Sequence, residues 1–100
     1  MHYLLMYELA PDYLERRGQF RDEHLALAWA AQERGELFLA GACDDVSVLV
    51  WKTDTPAIID KFAKEDPYVI HGLVTGYKVK QWNTVVGEHA FNPVRPAQGA

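Results

Sequence analysis

Two side chains in this sequence have the types that proton-transfer chemistry needs, His24 and Asp66. A histidine titrates near neutral pH, so a positioned imidazole can take a proton from a substrate and return it. His24 follows Phe20 by one helical turn and precedes Leu27, on an apolar stripe. From spacing alone it is either a core-edge histidine with a satisfied hydrogen bond or a general acid/base. Arg21, one turn earlier, either steers an anionic substrate group or is a solvated helix-face charge. Asp66 stands before Pro67. It either caps the backbone N–H of Tyr68 or Val69, or orients His24 or shares proton transfer with it. His71 could join a pocket next to Asp66, although a lone loop histidine is usually without a role.

Other chemistries find less support. His2 and His89 lie near the ends, and there is no His-x-x-x-His, Cys-x-x-Cys or carboxylate cluster, so no metal site is expected. No Gly-x-Gly-x-x-Gly or phosphate-binding loop is present, so no cofactor is expected. Cys43 has no basic activator nearby in the sequence and reads as a small buried residue. Tyr3, Tyr7, Trp51 and Trp82 read as core and interface.

The elements that must position these groups follow from pattern. Residues 2–9 alternate Tyr3, Leu5, Tyr7 and Leu9 with Leu4 and Met6, which predicts a strand covered on both sides. Residues 12–17 could form a short helical turn ended by Gly18. From residue 19 to 34, Phe20, His24, Leu27 and Ala31 recur on one helix face, and Arg34-Gly35 closes it. Strands are expected at 36–43 and 46–51, joined as a hairpin at Asp44-Asp45. Thr55 as N-cap and Pro56 at the first helical position open a second helix with an Ile58, Ile59, Phe62, Ala63 face. Pro67 interrupts it, and residues 68–73 form a short turn. The last strand is expected over residues 75–86, then a Pro-containing tail over 87–100, partly flexible or an arm on a partner.

The order is β-α-β-β-α-β, an α+β, ferredoxin-like plan with two helices on one face of a four-stranded antiparallel sheet. Nothing remains to cover the other face, yet the strands are apolar on both sides. That predicts a homodimer through the open sheet face.

Bulk properties agree with one such domain. The 100 residues are 49% hydrophobic and 12% aromatic, which excludes a disordered chain. Ten Lys+Arg against fourteen Asp+Glu give a net charge of −4. The densest basic cluster is Arg16-Arg17 with Arg21, too little for nucleic-acid binding. The single cysteine fits a reducing compartment. The first residues lack a basic region and reach Glu8 early, and no apolar run approaches the ~20 residues of a membrane helix. The expectation is a cytoplasmic protein that binds neither nucleic acid nor membrane.

Four segments in this order resemble the YCII-related (YciI-like) family: Arg21-x-x-His24, then Gly35-Glu36-Leu37-Phe38-Leu39-Ala40-Gly41-Ala42, then Asp66-Pro67-Tyr68-Val69-x-x-Gly72-Leu73, and Tyr77-x-Val79-x-x-Trp82. The resemblance implies a dimeric α/β barrel over residues 1–86, similar in architecture to muconolactone isomerases and small monooxygenases. It implies that His24 and Asp66 are an active-site pair; Arg21, Tyr68 and His71 are expected as substrate-binding neighbours. One related type of enzyme eliminates chloride from a chlorinated hydroxyhydroquinone. The chain departs from the family in lacking glycines between Ala42 and Val50, and in His71, where a small residue is common. The expectation is a cofactor-independent lyase or isomerase acting on a small cyclic or aromatic substrate. The alternatives are a non-catalytic small-molecule binding or sensing module and a monooxygenase of the same architecture.

Overall fold

The computed structural model describes residues 1–97; the last three residues of the expected tail lie outside it. Its elements are β1 (His2–Leu9), α1 (Tyr13–Glu33), β2 (Leu37–Cys43), β3 (Val46–Lys52), α2 (Ala57–Glu65), α3 (Pro67–Ile70) and β4 (Val74–Trp82). The four strands form one antiparallel sheet in the order β2-β3-β1-β4. This is the ferredoxin-like arrangement expected from the βαββαβ order.

Register sorts the side chains by face. Tyr3 pairs with Trp51, Leu5 with Leu49 and Val79, and Tyr7 with Ser47 and Tyr77. These rows face the helices, and there Leu5, Tyr7, Leu49 and Trp51 are buried. Ile59, Phe62 and Ala63 of α2 close over them, with Leu37, Tyr68 and Leu73. Each fully buried leucine or isoleucine contributes roughly 1.5–3 kcal/mol through loss of apolar contact with water. The opposite face carries Leu4, Met6, Val48 and Val50, half-buried, with Lys78 and Lys80 on β4.

Several boundaries differ from expectation. The segment 12–17 is not a separate turn. α1 runs through Gly18 from Tyr13 to Glu33, because a mid-helix glycine weakens a helix without ending it. α2 starts at Ala57 with Pro56 as N-cap and no side-chain cap, so Thr55 contributes only its carbonyl, to the Ile58 N–H at 3.1 Å. β4 stops at Trp82 rather than reaching residue 86. Beyond it, Thr84 and Val85 accept hydrogen bonds from Asn92 and Val94 of the returning tail, at 3.0 and 2.8 Å, in place of a sheet neighbour. Cys43 is exposed, not buried, because it ends the edge strand β2. Trp82 is half-exposed. Among the described residues no helix is long and apolar enough to cross a membrane.

α1 touches the sheet through small residues. Only Ala28 and Ala31 of its 21 residues are buried. It leans on α3 and on β2. A space remains between α1 and the β2–β3 hairpin.

Candidate active site

The break between α2 and α3 builds the centre of the site. Asp66 ends α2 in an extended conformation (φ −70°, ψ 121°), as a residue before proline must. The same residue is the N-cap of α3, and its Oδ1 accepts the Tyr68 N–H at 3.0 Å. The carboxylate is fully buried. Oδ2 accepts the Tyr7 hydroxyl of β1 at 2.8 Å. The remaining partner is His24 of α1, whose Nδ1 lies 2.9 Å from each carboxylate oxygen. Cap and histidine partner, which the sequence left as alternatives for Asp66, are therefore the same carboxylate. It has acceptor sites for all three donors.

Each partner is itself held. The His24 ring stacks on Tyr68 with centroids 3.9 Å apart and planes 10° from parallel. Tyr68 is edge-on to Tyr13 at 5.6 Å. Burial, and then the Asp66 charge, push the Tyr7 hydroxyl well above the ordinary phenol range, so it stays a donor. Burial also pushes the Tyr68 hydroxyl up, to about 12, against the opposing pull of Arg17 and Arg21.

His24 is mostly enclosed, with 16% of its side chain exposed. What exposure it has opens on a cavity of about 520 Å³ between α1 and the β2–β3 hairpin. Tyr13, Arg17, Arg21, His24 and Tyr68 line it, and Leu25, Trp29 and Phe38 are among its apolar lining residues. With Nδ1 committed to Asp66, Nε2 is the nitrogen left for a ligand; it has no hydrogen-bond partner among the described residues. An imidazole so held can accept a proton through Nε2 while the carboxylate stabilises the resulting cation.

Arg21 and Tyr68 line this cavity. His71 does not. Its ring stacks on Phe20 at 4.2 Å on the exposed side of α3, and its carbonyl accepts from Arg16 at 2.8 Å. Tyr7, Tyr13 and Arg17 were not foreseen in the site. Tyr13, Arg17 and Arg21 recur every four residues, a signal hidden by ending the first turn at Gly18. Among the described residues no group of three or more His, Cys, Asp or Glu side chains could hold a metal ion.

The model of the YCII-related domain matches residues 1–83. The chain belongs to the YCII-related family. The solved structure of 5-chloro-2-hydroxyhydroquinone dehydrochlorinase (TftG) from Burkholderia phenoliruptrix AC1100, in complex with 2,5-dihydroxybenzoquinone, is similar to this YCII-related chain. It matches with a TM-score of 0.70 and 22% identity, over 90% of this chain and 99% of that one. At that identity the likeness speaks for the fold. No curated protein matches the chain.

Proposed function

We propose that this YCII-related protein is a cofactor-independent lyase or isomerase whose acid–base centre is His24 supported by Asp66. The observation that carries the reading is the buried Asp66 carboxylate bound to Nδ1 of His24, with Nε2 left for the cavity. Nε2 takes one proton from a ring hydroxyl or ring carbon of the substrate. The electron pair released either re-forms a double bond as a leaving group departs as an anion, or stays in the ring until His24 returns the proton to another carbon. The first course is elimination and the second isomerisation; neither needs an oxidant. Asp66 fixes the tautomer and stabilises the imidazolium in between.

The similarity to TftG, named for dehydrochlorination of a hydroxylated ring, supports a small oxygenated six-membered ring as substrate. The cavity volume and its aromatic rim suit such a ring. The apolar open face of the sheet supports a homodimer formed by pairing of two such faces.

The test is chloride release from 5-chloro-2-hydroxyhydroquinone, and ultraviolet absorbance change with non-halogenated hydroxylated rings, for wild type and His24→Asn. Turnover by wild type that falls by about 10²–10⁴-fold in a folded variant supports the reading. Equal turnover in both proteins contradicts it.

A further inference from the structure

The cavity carries charge of one sign. Arg17 and Arg21 stand on consecutive turns of α1, with His24 one turn further, and all three line it. Among the described residues no aspartate or glutamate lines the cavity, although the chain has fourteen acids and a net charge of −4. Arg16 and Arg34 pair with Asp12 and Glu36. Among the described residues, Arg17 and Arg21 have no carboxylate within salt-bridge reach. Arg17 instead sits 5.8 Å over the Tyr13 ring, a contact that places the guanidinium without neutralising it. The nearest buried acid, Asp66, has its acceptor sites taken by Tyr7, Tyr68 and His24. Both guanidinium charges also act on the Tyr68 hydroxyl, beside the His24 ring.

We propose that Arg17 and Arg21 bind an anionic oxygen group on the substrate ring, so that the cavity selects anionic rings over neutral ones of the same shape. An arginine fork suits planar oxyanions, and two adjacent forks in an acid-free, partly apolar cavity leave their charge for the ligand. The anionic group is a carboxylate on the ring or a ring oxygen that has lost its proton. The inference names the substrate class for the site proposed above, but binding can be measured without turnover.

Isothermal titration calorimetry with three probes tests it: benzoate for the carboxylate, 2,5-dihydroxybenzoquinone for the ring oxyanion, and benzamide as the neutral shape match. Binding of at least one anion, about tenfold or more tighter than benzamide and weakening with added salt, supports the proposal. The tighter anion identifies the source of the charge. Arg17→Met and Arg21→Met should each weaken that anion by about tenfold or more, and Arg17→Lys by less, with far-UV circular dichroism unchanged. Equal binding of benzamide and both anions, no binding of either anion, or full anion affinity in the Arg17→Met, Arg21→Met double variant would overturn it. Anion binding that survives His24→Asn while turnover is lost keeps the two proposals apart. Loss of anion preference with turnover intact removes this one alone.

Discussion

Nδ1 of His24 is equidistant, at 2.9 Å, from the two carboxylate oxygens of Asp66. The imidazole therefore sits across the carboxylate rather than on one oxygen. The lone pairs it leaves are used by the Tyr7 hydroxyl and the Tyr68 amide. Four elements meet at this carboxylate: β1, α1, and the junction of α2 with α3. A charge with no exposure is tolerated only with such a set of donors.

Two substitutions separate the roles of these donors. Asp66→Asn keeps the volume and the cap but removes the charge that stabilises imidazolium in the proposed mechanism. It should lower turnover by about 10²-fold or more with a modest loss of stability. Tyr7→Phe removes one donor from a buried acceptor and should cost about 1–3 kcal/mol, with a smaller effect on turnover. Urea unfolding and steady-state rates on both variants check this. A larger rate loss in Tyr7→Phe than in Asp66→Asn would contradict it.

Stability should fall at alkaline pH. The folded-state pKa values of Tyr7 and Tyr68 are raised above the ordinary 10.0, that of Tyr68 to about 12. Between about pH 10 and 12 the unfolded chain gives up phenolic protons that the folded chain keeps, so the unfolded state binds fewer protons and unfolding becomes easier as pH rises. Melting temperatures measured from about pH 9 upward should decline through that window, with a shallower decline in Tyr68→Phe. A flat profile would count against the buried hydroxyls.

Gly18 lies inside α1, and a Cβ built there meets nothing within 4 Å. Gly18→Ala should stabilise the protein by roughly 0.5–1 kcal/mol, seen as a rise of a few degrees in melting temperature. A lower melting temperature would mean that the helix does not run continuously through this position.

The open sheet face predicts assembly. Light scattering should give a mass of ~23 kDa, twice the 11.4 kDa of one chain. Val48→Lys, at the centre of that face opposite Met6 and Gly41, should shift it to the single-chain mass. A single-chain mass for the wild type would contradict the dimer.

The sheet was legible because β1 and β3 are runs too short for a helix and apolar on both faces, and the Asp44-Asp45 turn fixes the hairpin. The positive φ of Asp44, 55°, is the left-handed turn such a link requires. The meeting of His24 with Asp66 was legible only as a possibility. The two are 42 positions apart, and spacing along a chain does not fix a tertiary contact. Tyr7 was read as core, correctly for its ring, but its hydroxyl partner lies 59 positions away. The start of α1 was misread because glycine's helix penalty of about 1 kcal/mol is smaller than the packing of Tyr13 and Phe20 against α3 can offset. His71 was placed in the pocket by proximity to Asp66, whereas the α3 turn carries it to the outer side, onto Phe20.

In the proposed mechanism Asp66, as a carboxylate, holds the proton of His24 on Nδ1 and leaves Nε2 as the base. Nitrogen-15 NMR of the imidazole, at a pH where the ring is neutral, reads this directly. A protonated, hydrogen-bonded Nδ1 and an unprotonated Nε2 are expected, with that tautomer preference weakened in Asp66→Asn. A proton on Nε2 with a bare Nδ1 would contradict it, because Asp66 would then be the donor and no lone pair would face the cavity.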